Sequence, residues 1–222
     1  QSSCPTLDFN NPLANGLKAF FSIKDNIDLV TGVLSTVSTG TIPGNGIAGN
    51  FSGTSQQRFP HHPNYAIVGP ITFSNDSILI SKQDNATFSC PYEICLGSLA
   101  TDSFGSFNRA GAISKMVLVG TTDAISPNTS NNVIIFTDSS DIVTAGAPRQ
   151  MYVNGKNYPI TTYQNGSGTA ENNTDNGADV IIGRKYDGTK QLDGAIYYIA
   201  LWNRVLTASE IKDITANPWG LL

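Results

Sequence analysis

The chain contains few charged residues, and those it has are not clustered. Charged side chains make up 14% of the 222 residues, against about 25% in an average soluble domain. The 13 Lys and Arg residues and the 17 Asp and Glu residues give a formal net charge of −4. Nucleic acids are bound through clustered positive charge, so we do not expect a nucleic-acid partner.

Histidine is nearly absent, which restricts catalytic and metal-binding chemistry. The two histidines, His61 and His62, are adjacent and lie between Pro60 and Pro63. Neighbouring residues of an extended segment point to opposite sides, so this pair is poorly placed to chelate one metal ion. The sequence also has no phosphate-binding loop, dinucleotide fingerprint or zinc-ligand spacing. These absences favour a protein without catalytic activity.

Cysteine and long apolar runs are scarce as well. There are three cysteines, Cys4, Cys90 and Cys95, and an odd number does not build a scaffold from disulfides alone. A Cys90–Cys95 bridge is sterically possible, and a buried free thiol at one or more of the three positions is the alternative. No apolar run is long enough to cross a bilayer, so we do not expect membrane insertion.

The sequence is instead rich in short apolar segments separated by turn residues. Leu17–Ile23, Ile113–Gly120 and Asn132–Thr137 each read as a strand, whereas Asp102–Gly111 and Gln164–Gly177 read as loops. Many short strands with turn signals between them indicate an all-β sandwich.

One hairpin and one helix have clear local signals. Asn154-Gly155 separates Arg149–Val153 from Asn157–Thr162, and Asn-Gly suits the type I′ turn of a hairpin. Thr207 and Glu210 have the spacing of a capping box. Because Asn217-Pro218 stops a helix, the sequence predicts a short helix over Ala208–Ala216.

The C-terminal segment also resembles a known family. The residues that carry the resemblance are Ile182-Gly183, Asp193-Gly194, Ile196, Trp202-Asn203-Arg204-Val205-Leu206-Thr207 and Glu210-Ile211. Their order is similar to the C-terminal signature of laminin G-like domains in the concanavalin A-like lectin/glucanase superfamily. Met151–Lys156 resembles the "LYVDGK" hairpin of that family, while the stretch from Tyr65 to Asn131 shows no matching motif.

The resemblance implies a two-sheet antiparallel jelly-roll sandwich, here with the one short C-terminal helix. All-β sandwiches of this length are commonly single domains. We therefore expect an N-terminal arm over residues 1–10 and a single domain over residues 11–222.

Function follows only loosely, because this fold carries lectins, glycosidases, adhesion modules and viral coat parts. Glucanases of the superfamily carry Glu-x-Asp-x-x-Glu on one strand, and that motif is absent from a chain whose three glutamates are Glu93, Glu171 and Glu210. We expect a non-catalytic recognition or adhesion module that binds glycans or a surface polymer. The alternative is a structural virion component, such as a phage capsid decoration or tail-fibre subunit, and a glycoside hydrolase ranks third. We expect an extracellular, cell-surface or virion-surface location.

A sugar site needs an aromatic platform beside amide and carboxylate groups. Residues of suitable type at loops or strand ends are Tyr163, Asn165, Tyr186, Asp187 and Asn203. No spacing marks them, so ordinary surface positions are the alternative for each.

Calcium is the cofactor that the resemblance implies, since many relatives hold one ion in a rim loop. The oxygen-rich segment 171–179 offers Asn173, Asp175 and Asp179 as ligands. Asp25 and Asp28 form a second candidate near the start of the chain. A solvated turn is the alternative at either place.

The segment Ala195–Asn203 departs from the family pattern because neither face of it is polar. Alternation predicts two rows, Tyr198, Ala200 and Trp202 on one face and Tyr197, Ile199 and Leu201 on the other. A strand that is apolar on both faces must be covered on both. The C-terminal helix or the tail Trp219–Leu222 can supply the cover. The alternative is another copy of the chain, or a capsid or fibre protein, which would make Tyr198, Ala200 and Trp202 interface residues.

Overall fold

Two antiparallel β-sheets and one short helix form the structure, a computed structural model, and this confirms the predicted all-β class. It describes residues 6–23, 25–38, 49–51, 56–59, 67–73, 77–82, 90–96, 104–109, 116–121, 132–137, 150–158, 161–165, 177–185, 187, 189–192 and 194–222. The strands are numbered in chain order from β1 to β17.

Sheet A contains nine strands in order β13-β12-β11-β6-β17-β1-β2, with β16 pairing with both β6 and β4. Their bounds are β1 Leu17–Ser22, β2 Ile27–Asp28, β4 Gly49–Phe51, β6 Ile67–Phe73, β11 Asn132–Thr137, β12 Gln150–Val153, β13 Lys156–Tyr158, β16 Gly194–Ile196 and β17 Tyr198–Trp202.

Sheet B contains eight strands in order β14-β10-β9-β8-β7-β15-β5-β3. Their bounds are β3 Thr36–Ser38, β5 Gln56–Phe59, β7 Ser77–Lys82, β8 Cys90–Leu96, β9 Phe104–Arg109, β10 Met116–Thr121, β14 Thr161–Asn165 and β15 Val180–Ile182. The helix α1 spans Ala208–Ala216, as predicted, and a single 3-10 turn spans Pro12–Ala14.

The middle strands of sheet A are buried on both faces. In β1, Ala19 and Phe21 pair with Leu201 and Ile199 of β17 on the face toward the interior of the sandwich. Phe20, the residue between them, belongs to a second apolar cluster on the opposite face. Strands buried on both sides require nearly continuous apolar sequence, which explains why these segments do not alternate with polar residues.

A cover formed by the two ends of the chain buries the outer face of sheet A. The cluster beneath this cover consists of Leu13, Leu17, Phe20, Val133, Ile135, Tyr198, Ala200, Trp202, Leu206, Ile211, Ile214 and Leu221. The indole Nε1–H of Trp202 donates to the backbone oxygen of Leu13 at 2.7 Å. The rings of Phe20 and Tyr198 stack with their centroids 4.5 Å apart.

This cover corrects the interface that the sequence suggested for β17. Tyr198, Ala200 and Trp202 are 1%, 0% and 0% exposed within the single chain. They leave no surface for a second subunit because α1 and the C-terminal tail already lie on them. Of the two alternatives, the intrachain cover is the one that the structure contains.

The predicted position of Tyr197 was wrong. The segment is not one continuous strand, because β16 ends at Ile196 and β17 begins at Tyr198. Alternation therefore restarts after this break. Tyr197 packs against the outer cluster and Trp219, not with Ile199 on the interior face.

Besides the apolar contacts of Ile211 and Ile214, an ion pair links the helix to the segment that follows β17. Thr207 and Glu210 form the predicted capping box. Both terminal nitrogens of Arg204 also donate to the Glu210 carboxylate, at 2.8 and 2.5 Å. Arg204 Nε–H donates to the backbone oxygen of Asn15 at 2.7 Å, so one guanidinium links the helix cap to the N-terminal segment.

The first described residues lie against the C-terminal tail. The backbone N–H of Asp8 donates to the Leu221 oxygen at 2.9 Å, and Asn11 Nδ2–H donates to the Gly220 oxygen at 2.6 Å. Part of the predicted arm therefore contacts the domain. The division into residues 1–10 and 11–222 stays a prediction.

Two expectations about sheet B and its neighbours were wrong. Phe104–Arg109 lies in the predicted loop Asp102–Gly111, yet it pairs with strands on both sides as β9. Its Gly, Ser and Asn content suggested a loop, but cross-strand pairing overrides such propensities. The predicted hairpin strand Asn157–Thr162 is not one strand, because β13 belongs to sheet A and β14 to sheet B.

A Cys90–Cys95 disulfide is not compatible with the fold. Both residues lie on β8, and five residues of extended strand separate their Cα atoms by about 15 Å. A disulfide needs Cα atoms within about 7 Å of each other. Cys4 lies outside the described residues.

The predicted hairpin at Asn154-Gly155 is confirmed. Asn154 and Gly155 have φ angles of 51° and 79°, as a type I′ turn requires. The Asn154 side-chain oxygen accepts from the backbone N–H of Val133 at 2.9 Å. The turn therefore also holds the start of β11.

We expect Glu210→Gln to lower the free energy of unfolding by about 1–2 kcal/mol at pH 7, because it removes the charged half of a bidentate pair and of a helix cap. Hydrogen bonds from Arg204 lower the pKa of Glu210 from 4.5 to about 2. The unfolded state thus binds the proton more readily, and the stabilisation is complete above pH 4.5 and is lost as the pH falls toward 2.

Urea unfolding at pH 7 and pH 3 measures this effect, with Lys212→Gln on the exposed side of α1 as the control. The difference between wild type and Glu210→Gln should be smaller at pH 3. An equal difference at both pH values would contradict the ion-pair explanation.

Candidate functional site

The backbone register aligns one residue from every strand of sheet B in a single rung. From edge to edge the rung runs Thr36, Arg58, Ile181, Ser81, Glu93, Phe107, Leu118 and Tyr163. Directly opposed residues in antiparallel strands occupy the same face of a sheet. Ser81, Glu93 and Ile181 therefore share one face of sheet B.

That face is opposite the interior of the sandwich. The next residue along each of the same three strands is apolar and buried, namely Ile80, Ile94 and Ile182. Such a row is what a sheet packs against its partner sheet. By alternation, the Ser81–Glu93 pair lies on the outer face of sheet B.

Ser81 and Glu93 are nevertheless buried there, at 0% and 6% exposure. The Ser81 hydroxyl donates to Glu93 Oε2 at 2.8 Å. A carboxyl group on an outer face is buried only if something lies over it. The charges of Lys185, Asp187 and Lys190 act on Glu93, so the loop after β15 lies near this pair.

The segment that carries these charges, the 183–192 loop, connects β15 to β16. It begins at Gly183 with a φ of 89° and is closed by the Leu192 N–H, which donates to the Gly183 oxygen at 2.7 Å. Within it, the Lys185 N–H donates to the Thr189 oxygen at 3.1 Å. These bonds close the loop on itself directly after β15, which lies between β7 and β5 in sheet B.

One exposed carboxylate is held inside this loop. Asp187 Oδ1 accepts from the Thr189 N–H at 2.9 Å and from the Thr189 hydroxyl at 2.5 Å. Asp187 Oδ2 lies 3.2 Å from Lys185 Nζ. The loop therefore presents an anion, a cation and a hydroxyl in fixed relative positions.

The two carboxyl groups of the site have pKa values shifted in opposite directions. Burial raises the pKa of Glu93, and the nearby charge of Asp187 adds to this, against the Ser81 hydrogen bond and the charges of Lys185 and Lys190. Desolvation alone would raise the pKa of Asp187. The hydrogen bonds from Thr189 and the contact with Lys185 have a larger, opposite effect, so the pKa is lowered. Glu93 is therefore the better proton donor and Asp187 the stable carboxylate.

The residues predicted for sugar binding fall in two places. Asp187 is in the 183–192 loop, and Tyr163 is on the same rung as Glu93, three strands or about 14 Å away. Asn165 ends β14 at the same edge, and Tyr186 lies outside the described residues. Asn203 is on the other side of the molecule, where its N–H donates to the Gly16 oxygen at 2.9 Å.

The sequence interpretation did not select Ser81, Glu93 or Lys185 for this site. The usable signal was a lone glutamate inside an otherwise apolar strand, since Glu93 interrupts β8. Its partner Ser81 was not predictable, because pairing of β7 with β8 is a property of the fold.

The two calcium candidates have different outcomes. Asp28 is fully buried, and its carboxylate accepts from the Phe20 N–H, the Val30 N–H and the Thr31 hydroxyl. It is a structural acceptor and does not fit a calcium ligand. Asn173 and Asp175 lie outside the described residues, so calcium at 171–179 with Asp179 stays a prediction.

No group of three or more His, Cys, Asp or Glu residues able to hold a metal ion occurs in the described part of the chain. No helix among the described residues has the length and apolar character needed to cross a membrane.

A sequence profile for the concanavalin A-like lectin/glucanases superfamily matches residues 70–212, more than half of the chain. The chain belongs to this superfamily. The match begins at residue 70, so it includes most of the middle region that showed no motif in the sequence. The jelly-roll sandwich implied by the C-terminal resemblance is thereby confirmed. No curated protein sequence matches the chain.

Several solved structures share the fold at low sequence identity. Domain 4 of AbnA, an extracellular GH43 arabinanase from Geobacillus stearothermophilus in complex with arabinotriose, has a TM-score of 0.61 and 15% identity over 90% of this chain and 98% of its own. The Trypanosoma rangeli sialidase in complex with sialic acid has a TM-score of 0.63 and 15% identity over 93% of this chain.

The binding domain of Botulinum Neurotoxin DC, in complex with SialylT, has a TM-score of 0.63 and 12% identity over 92% of this chain. This chain spans 34% of the sialidase and 52% of the toxin domain. At these identities the likeness establishes the fold alone.

We expect Glu93→Gln and Asp187→Asn to change the pH dependence of stability in opposite directions. A raised folded-state pKa means that the native state holds its proton more tightly than the unfolded state, so the Glu93 contribution is greatest below pH 4.5 and declines as the pH rises through the folded-state value. The lowered pKa of Asp187 has the opposite sign, with a contribution present above about pH 4 and lost in more acidic solution.

Thermal unfolding between pH 3 and pH 8 measures both effects. Glu93→Gln should gain stability relative to wild type as the pH rises, and Asp187→Asn should lose it. Parallel pH profiles for the two variants would show that the site does not separate the two pKa values.

Proposed function

We propose that the protein is a non-catalytic carbohydrate-binding module, and that it recognises a glycan on the outer face of sheet B. The observation that carries the proposal is the Ser81–Glu93 pair, a buried polar group placed on a face that the fold does not need for its core. Burying a carboxyl group costs free energy. The contacts described for the outer face show no structural reason to place a carboxyl group there.

The 183–192 loop provides the surface that a sugar requires. Sugar hydroxyls both donate and accept hydrogen bonds, and the loop offers an exposed carboxylate at Asp187 beside the ammonium group of Lys185. Thr189 holds Asp187 in place before any ligand arrives. Such preorganisation lowers the entropy cost of binding.

The structural neighbours support a sugar as the ligand class. Arabinotriose is bound in the arabinanase structure that contains the similar domain, and sialic acid in the sialidase structure. For this chain we propose a glycan or glycan-bearing surface polymer as the partner. A secreted or surface location and a role in attachment are consistent with this partner.

Glycoside hydrolysis is the second candidate, and one observation favours it. Retaining and inverting glycosidases use two carboxyl groups whose pKa values are separated, one acid and one carboxylate, and Glu93 and Asp187 are shifted in this sense. Binding is favoured over hydrolysis because Glu93, the carboxyl group that would act as the acid, is only 6% exposed.

Assembly into a virion has no comparable support. The apolar row of β17 that suggested it is covered within the chain. A capsid or fibre role therefore remains a prediction from sequence only.

We expect the protein to bind oligosaccharides on a glycan array, and Asp187→Ala to weaken the binding of the best ligand at least tenfold in calorimetry. Asp213→Ala, which removes an exposed carboxylate from α1, is the matched control and should leave the affinity unchanged. Equal affinity of both variants would place the ligand away from the 183–192 loop.

The same ligand distinguishes the second candidate from the first. Incubation followed by mass spectrometry should recover the oligosaccharide intact. Shortened products that disappear with Glu93→Gln and with Asp187→Asn would establish hydrolysis instead.

A further inference from the structure

The C-terminal tail carries an aromatic residue that is only partly buried. The chain has two tryptophans, and they differ sharply, since Trp202 is 0% and Trp219 is 40% exposed. Large aromatic side chains gain stability from burial. An exposed tryptophan in a chain whose other indole is fully buried therefore calls for a separate explanation.

The ring of Trp219 is held in one orientation by two tyrosines. Its centroid lies 5.5 Å from that of Tyr197 at an interplanar angle of 70°, and 5.5 Å from that of Tyr198 at 67°. Both are edge-to-face contacts, a favourable geometry for aromatic pairs. These two contacts restrict rotation of the indole while leaving part of it in solvent.

The backbone on both sides of Trp219 is also fixed. The Tyr198 hydroxyl donates to the Pro218 oxygen at 2.5 Å, and Asn11 Nδ2–H donates to the Gly220 oxygen at 2.6 Å. Two residues further on, the buried side chain of Leu221 belongs to the outer cluster of sheet A. The exposed indole is thus mounted on an ordered segment.

Each ring of the Tyr197–Trp219 pair carries one hydrogen-bonding group. Within the described part of the chain, neither the indole Nε1–H of Trp219 nor the hydroxyl of Tyr197 has a protein hydrogen-bond partner. Both belong to the same edge-to-face pair. The Tyr197–Trp219 pair therefore combines a partly exposed aromatic ring with two polar groups that bond to no described residue.

We propose that Trp219 is a platform for a pyranose ring, forming a second carbohydrate-binding site with Tyr197 on the sheet A side of the molecule. The ligand class is a hexopyranose whose axial hydrogens form an apolar patch that packs on the indole. Its hydroxyls bond to Trp219 Nε1 and the Tyr197 hydroxyl. A purely apolar partner would leave both polar groups desolvated without hydrogen bonds, at a cost in free energy.

This site does not depend on the Ser81–Glu93 site, which lies on the other sheet. A ligand long enough to reach both is not required. With two separate sites, a module gains avidity on a polymer that displays many copies of the same sugar.

Fluorescence quenching tests the proposal directly, because Trp219 is the exposed one of the two tryptophans. Acrylamide quenching is measured with lactose, cellotetraose or maltotetraose at increasing concentration. At least one sugar should protect the accessible indole and lower the quenching constant about twofold. Asp187→Ala should retain this protection, which separates the second site from the proposed glycan site.

Binding of the protecting sugar is then compared in three variants by calorimetry. Trp219→Ala should weaken it at least tenfold and Trp219→Phe by less, because a smaller ring remains. Leu222→Ala removes an equally exposed apolar side chain, at 40%, and should have no effect. Thermal unfolding shows whether Trp219→Ala is folded, and Trp219→Phe serves as the test if it is not.

Two results would overturn the proposal. The first is unchanged quenching with all three sugars. The second is a change of mass in light scattering for Trp219→Ala together with unchanged sugar binding, which would identify the tail as a contact between protein chains.

Discussion

Burial of β17 on both faces is the constraint on which the rest of the structure depends. Trp202 and Tyr198 project away from the interior of the sandwich, where an open sheet would meet water. Each is at most 1% exposed, so the chain must supply a complete outer layer. It does so with α1, the 3-10 turn and the tail. Arg204 joins Glu210 of α1 to Asn15 at the end of the 3-10 turn, and Asn11 at the start of that turn bonds to Gly220 of the tail. The last part of the family signature, from Leu206 to Ile211, belongs to this layer.

That use of sheet A determines where ligands are able to bind. Its outer face is filled by the cover, and its inner face by the core between the sheets. In the central described strands of sheet B the inner row is apolar throughout, whereas the outer row places the Ser81–Glu93 pair beside Ile181. Two aromatic side chains of the described residues are among the exposed large apolar ones, Phe9 at 62% and Trp219 at 40%, and Trp219 lies at the margin of the cover, in the tail.

Local signals predicted the parts of the fold that depend on neighbouring residues. The capping box at Thr207, the helix end at Asn217 and the Asn154-Gly155 turn are all set by contacts within a few positions. The strand at Phe104–Arg109 was missed because its stability comes from β8 and β10. The Ser81–Glu93 pair was missed for the same reason, since twelve positions of chain and a strand pairing separate its members.

The most direct test of this account is the solution mass and dye binding of a variant in which the cover cannot close. Ile211→Asp with Ile214→Asp places two charges at buried positions of α1, at a cost of several kcal/mol. We predict that this variant exposes the row of Tyr198 and Trp202, binds a hydrophobic dye and self-associates or unfolds. Lys212→Asp, on the exposed side of the same helix, should behave as wild type. A double variant with the same solution mass, dye binding and stability as the wild type would contradict the central role of the cover.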